Sequence, residues 1–169
     1  ASRVGTILQS GRTPDGTSLR DAALANGGDA NAVLDAIVDA ASPYDGTQDK
    51  EASRLSIRNA LSDLLTRFPD ADLFALTDAQ RNYVIERYTA LDVYGRFCLD
   101  LQKTVLDKAP DAVTGMRRLR YIREFISEKV SASFRKVREN NASPTTRSIA
   151  QLTRAALHET LAVFEEYTS

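Results

Sequence analysis

Between Thr77 and Asn140 the chain holds two runs of apolar residues at helical spacing, interrupted by a single proline, Pro110. In the first run Val84, Tyr88, Leu91, Tyr94, Cys98, Leu101 and Val105 recur at spacings of 4, 3, 3, 4, 3 and 4. In the second, Val113, Met116, Leu119, Ile122, Ile126, Val130, Phe134 and Val137 recur at 3, 3, 3, 4, 4, 4 and 3. A helix of 3.6 residues per turn gathers such positions on one stripe, whereas a strand would need alternation. Each run predicts a helix roughly 45 Å long at 1.5 Å per residue. Pro110 cannot continue the first helix, and Ala109-Pro110 is too short a link for anything but an antiparallel hairpin. The expected fold is therefore all-α: a helical bundle built on a long hairpin, about 78–108 and 111–140.

The flanks fit shorter helices around it. Ser2 to Gln9 reads as a first helix, although Val4 to Leu8 alone also carries a weak strand signal. Ser18 is placed to cap Leu19 to Leu24, with Gly27-Gly28 as the stop. Asn31 to Ala41 turns Val33, Leu34, Ile37 and Val38 to one side, and Pro43 to Gly46 is a turn. Asp49 to Phe68 follows, with Leu55, Ile57, Leu61, Leu64 and Leu65 as its apolar set and Pro69 closing it. Thr77 caps the first long helix and Asp111 starts the second. Asn140 to Pro144 breaks the chain before a last helix to Tyr167, with Ile149, Leu152, Ala156, Leu161 and Phe164 inward. This predicts one helical domain over 1–169, with short helices and turns in 1–46 and the long-helix bundle in 47–169.

Composition removes several kinds of chemistry. With 22 Lys+Arg against 23 Asp+Glu, the chain lacks the charge of a dedicated nucleic-acid binder. One histidine, His158, cannot build a multi-histidine metal site, and one cysteine, Cys98, cannot form an internal disulfide. No apolar run reaches membrane-spanning length. The start shows no export signal, which with the unpaired cysteine favours the cytoplasm. Neither a cofactor nor a catalytic or metal-ligating residue is expected.

The charges are unevenly spread. Asp21 to Gln80 holds four basic and eleven acidic residues, a balance of −7, whereas Asp111 to Asn140 holds eight and four, a balance of +4. The densest basic run is Arg117-Arg118-Leu119-Arg120-Tyr121-Ile122-Arg123. These residues, Arg117, Arg118, Arg120, Tyr121 and Arg123, are the candidate interaction site. The alternative is a nucleic-acid-binding module on the basic face of the 111–140 helix. On a helical wheel, however, Arg117, Arg120, Arg135 and Arg138 share the outer face with Glu124, Glu128 and Glu139. Mixed signs there describe a solvated helix.

Other motifs read as structure. Gly11-Arg12-Thr13-Pro14-Asp15-Gly16-Thr17-Ser18 has the glycine spacing of a phosphate-binding loop. It puts Thr17 where the lysine belongs, adds Asp15 to a loop meant for an anion, and loses an amide at Pro14. A plain turn is expected. Arg87 and Arg123 fall within the apolar stripes. Either each snorkels its head outward over a packed stem, or it is buried and holds a carboxylate or an anionic ligand bidentately, with an acid on a neighbouring helix as the expected partner. Cys98 reads as a small core residue, distant in sequence from His158, and Glu165-Glu166 point to different faces. Tyr83, Tyr88, Tyr94, Phe97, Phe125 and Phe134 should serve the core, and Tyr121 should look outward.

A family resemblance adds to this. Ala1-Ser2-Arg3-Val4 resembles the Ser-Arg opening of the helical part of the Qat anti-phage system associated protein QatB family. Ser42-Pro43-Tyr44-Asp45-Gly46-Thr47, followed by Asp49, Glu51, Ala52 and Arg54, resembles that family's Cys-Pro-x-x-Gly turn and acidic Ala-Arg helix. Leu76-Thr77-Asp78-Ala79-Gln80 and Leu161-Ala162-Val163-Phe164 resemble its later helices. Ser42 stands where the family usually has cysteine, which weakens any redox or metal role there. The resemblance implies a Gly/Ser-rich N-terminal segment that this sequence, starting at Ala1, lacks. It also implies an operon with a P-loop ATPase, a QueC-like enzyme and a TatD-like nuclease. The chain would then be a non-enzymatic scaffold, adaptor or protein substrate. Its expected partners are the QueC-like enzyme, the ATPase or a second copy of itself.

Overall fold

The computed structural model describes residues 2–139 and 146–168. Eight helices follow in order: α1 Ser2–Ser10, α2 Leu19–Ala25, α3 Ala30–Ala41, α4 Gln48–Arg67, α5 Asp78–Asp107, α6 Ala112–Glu139, α7 Thr146–Val163 and α8 Glu165–Thr168. The all-α reading holds: no strand forms among the described residues, and Val4 to Leu8 lies inside α1. The anticipated break at Asn140 to Pro144 and the opening Ala1 lie outside the described residues. The chain divides into two compact units, Ala1–Tyr88 and Thr89–Ser169, with the division inside α5.

In the first unit, α1, α2 and α4 pack on α3. Val4 and Ile7 of α1, Leu19 of α2, Ile37 of α3 and Ile57, Leu61 and Leu64 of α4 are essentially inaccessible. Local chemistry ends each helix. The amides of Gly27 and Gly28 bond back to the carbonyls of Leu24 and Ala23, a Schellman stop for α2. Gly27 sits at φ 105°, a region only glycine enters freely. Asp29 and Thr47 cap α3 and α4 by accepting from the amides of Ala32 and Lys50. Ser18 occupies the cap position of α2, but its side chain makes no cap bond. The Gly11 carbonyl takes the Leu19 amide instead, at 2.9 Å.

The motif turn between α3 and α4 is tied by Arg54. Its guanidinium donates to the Ser42 carbonyl at 2.6 Å and to Asp39 at 2.5 Å. Asp45 accepts from both the amide and the hydroxyl of Thr47, and these bonds hold its carboxyl below the usual range. Ser42 itself is buried, at 4% exposure.

In the second unit, the rest of α5 and α6 form the hairpin. Arg123 lies over the Tyr94 ring, and Gly115 faces Leu106, so sequence positions run in opposite directions along the two helices. Asp111 caps α6 by accepting from the amide and hydroxyl of Thr114. On the other side α7 packs against α6. Phe125 meets Phe164 edge to face at 5.4 Å, and Lys129 pairs with Glu159. Both pairs require antiparallel helices with the C-terminal part of α6 beside the N-terminal part of α7.

Several apolar positions depart from the single-stripe reading. Val113 and Met116 are 68% and 62% exposed, because the buried face of α6 begins instead at Gly115 and Leu119. On α5, Tyr94, Cys98 and Leu101 are only half-buried, whereas Val93 and Phe97 are fully buried. A helix with neighbours on more than one side buries a broader face than a two-helix seam. Leu55 is 59% exposed, since Ser56, Ile57 and Ala60 take the inner face of α4.

Candidate interaction surface

The structure separates the five residues of the basic run. Arg117, Arg120, Tyr121 and Arg123 are exposed. Arg120 lies 5.7 Å from the Tyr121 ring centre and 3.7 Å from Glu124. Arg118 turns the other way. It stacks on Tyr167 at 4.5 Å and donates to the Lys108 carbonyl at 3.1 Å, so it fastens α8 to the hairpin. Tyr167 continues into Phe164, with ring centres 5.5 Å apart.

Beside the exposed arginines stand Val113 and Met116, one turn apart and open to solvent. The N-terminal half of α6 therefore presents Val113, Met116, Arg117, Arg120 and Tyr121 together. From Ala112 to Arg123 the helix carries no acid. Sequence reasoning assigned Val113 and Met116 to the core and so missed them as surface. The signal was Gly115, whose side gives a closer helix approach than theirs.

The other candidates resolve into structural roles. In the Gly11–Ser18 loop the Asp15 carboxylate accepts from the Thr13 hydroxyl and the Thr17 amide. These bonds hold its carboxyl below the ordinary value. Arg12 donates to the Gly16 carbonyl at 2.8 Å, and Arg12 and Ser18 pair as an isolated bridge. The loop fills its own centre with a carboxylate, the reverse of a phosphate cradle.

Arg87 is half-buried and meets Asp63 on α4 at 2.5 Å, the acid-on-a-neighbouring-helix arrangement. Arg123 has no carboxylate partner among the described residues, and its head is exposed over Tyr94. The two arginines thus take the two different readings. Cys98 is half-buried, and burial pushes its thiol pKa up, with Tyr94 as hydrogen-bond partner. Burial likewise pushes Tyr94 up to about 12. An activated nucleophile needs the opposite shift. His158 is exposed on α7. No cluster of three His, Cys, Asp or Glu side chains suited to a metal occurs among the described residues. No helix there is long and apolar enough to cross a membrane.

The units carry opposite charge. Nine basic against thirteen acidic residues leave the first at −4, and thirteen against ten leave the second at +3. Three of the first unit's thirteen acids are paired between helices, by Arg54 on Asp39, Arg58 on Asp35 and Arg87 on Asp63.

Fold and surface together define an all-α protein whose exposed chemistry lies on helix faces. The chain belongs to the family of the Qat anti-phage system associated protein QatB, whose family model matches residues 1–164. It is thereby a component of the Qat anti-phage system. No curated protein and no solved structure matches it.

Proposed function

We propose that the chain is a non-enzymatic scaffold or adaptor of the Qat system, working in the cytoplasm. It presents the N-terminal half of α6 to a QueC-like enzyme or to the P-loop ATPase. The observation that carries this reading is the exposed set Val113, Met116, Arg117, Arg120 and Tyr121. Tyr, Met and Arg are enriched in the cores of protein interfaces. Two large aliphatic side chains one turn apart in solvent supply an anchor, and the arginines supply a rim.

The test is co-purification of the protein with its operon neighbours, repeated with Met116→Glu and with Arg120→Glu. Retention of one neighbour by the wild type, and its loss from both variants, is the expected result. Failure of the wild type to retain either neighbour, with phage protection intact after its deletion, refutes the proposal. A mass gain on the N-terminal peptide in the presence of the QueC-like enzyme alone would make the chain its substrate as well.

A further inference from the structure

The outward face of α6 is ordered by chemistry. Gly115 and Arg123 turn toward α5, and Phe125 and Lys129 turn toward α7. At 100° per residue, Val113, Arg117, Arg120, Glu124 and Glu128 fall within about 80° on the side left over, with Met116 at its edge. All six are exposed. In chain order the face reads apolar (Val113, Met116), then basic (Arg117, Arg120), then acidic (Glu124, Glu128).

Solvation accounts for mixed signs but not for this order. On a solvated helix, opposite charges three or four positions apart support one another, and like charges there repel. Arg120 and Glu124 do meet, at 3.7 Å. Arg117 and Glu128 have no opposite charge at either spacing; Arg117 instead has Arg120 three positions on, and Glu128 has Glu124 four positions back. Val113 and Met116, 68% and 62% exposed, add an apolar end that a solvated face does not need.

The order is self-complementary. Two copies of the face laid antiparallel, with Arg117 opposite Glu128, bring Arg120 opposite Glu124 to within one position, and a two-fold axis makes every pair twice. Val113 then lies level with Ser131 and Ala132 of the second copy, whose small side chains leave room for it. A parallel pairing in register would set arginine on arginine. An antiparallel pairing shifted to put Glu128 opposite Arg135 would carry Val113 and Met116 past the end of α6. We propose that a second copy of this chain docks here, α6 against α6, as a two-fold dimer held by reciprocal Arg117–Glu128 and Arg120–Glu124 pairs. The dimer rests on the same exposed face as the scaffold reading, but on neither operon neighbour. A face covered by its own copy is closed to a neighbour, so the two compete for it.

The experiment is sedimentation velocity of the full chain from about 1 µM to about 1 mM. The wild type should pass from monomer to dimer as concentration rises. R117E alone and E128R alone each set like charges together twice per dimer, and should raise the dissociation constant about tenfold or more. R117E/E128R restores opposite signs at both places and should return it to within about threefold of the wild type. R120E, E124R and their double repeat the test at the central pairs should the first set fail to fold, with folding checked by circular dichroism. R154E, at an exposed position of α7, should dimerise as the wild type does. A chain that stays monomeric throughout overturns the proposal, as do single reversals without effect or a double reversal without rescue. Retention of an operon neighbour by a chain that never dimerises overturns this inference alone. A dimer that retains no neighbour supports it and counts against the scaffold reading alone.

Discussion

Gly115 of α6 faces Leu106 and Ala109 at the end of α5, and it permits a test whose sign is not obvious. A Cβ built there would lie 2.9 Å from Leu106 Cδ2, 3.3 Å from Ala109 Cβ and 3.5 Å from Leu106 Cα. The residue is within α6, so a side chain meets no backbone penalty, and Gly115→Ala gains about 0.9 kcal/mol of helix propensity. Against this, the Leu106 side chain must leave its place, at about 0.5–1.5 kcal/mol for an off-rotamer position. The two nearly cancel, so in the wild-type background Gly115→Ala should change stability by less than about 0.6 kcal/mol. Leu106→Ala removes the colliding methyl. In that background Gly115→Ala should recover about 0.9 kcal/mol, because Ala109 needs to yield only slightly. Urea unfolding of the four proteins measures the coupling, expected at about 0.5–1.5 kcal/mol. Equal effects of Gly115→Ala in both backgrounds would show that the helices do not approach as described.

Other expectations follow from the ion pair, the caps and the thiol. The Arg87–Asp63 pair is part-exposed, at 28% and 39%, so a double-mutant cycle should give about 1 kcal/mol or less; a coupling of several kcal/mol would mean a buried pair. Hydrogen bonds donated by the Thr114 amide, and then by its hydroxyl, lower the Asp111 pKa below its ordinary 3.8. Its stabilisation of α6 is thus fully present above that value and is lost as pH falls through the lowered one. The stability gap between wild type and Asp111→Ala should accordingly narrow in acid, and a gap unchanged at about pH 2 would contradict this. Cys98, its thiol pKa raised by burial, should alkylate with iodoacetamide at pH 8 more slowly than free cysteine, with urea abolishing the difference. Alkylation of the folded protein at the free rate would exclude that burial.

How much of this was legible beforehand differs by level. Helix boundaries were, because caps and breakers act within a few residues. Thr77 and Gln80 exchange the two bonds of a capping box at 2.9 and 3.3 Å, and Pro110 ends α5 within three residues of its last helical position. Burial was less legible. Leu55, Val113 and Met116 satisfy the helical period as well as their neighbours do. Which side of a helix is covered depends on every element packed around it, and periodicity reports only one direction. Arg87 and Arg123 make the same point, since both sit on apolar stripes yet only Arg87 finds a carboxylate.

The sequence by itself determined the all-α class, the two long helices and their antiparallel link, because backbone hydrogen bonding and proline geometry are local. It also determined that basic residues gather toward the C-terminal half. Only the tertiary structure decided which of them find partners. Lys129 and Glu159 are thirty positions apart in sequence and pair through the packing of α7 on α6, and Arg118 leaves the basic run to stack on Tyr167. The tertiary structure likewise placed Val113 and Met116 in solvent beside Arg117 and Arg120, because Gly115 gives α6 its close approach on a different side. Packing geometry sums contacts from distant parts of the chain, and no local period carries that sum.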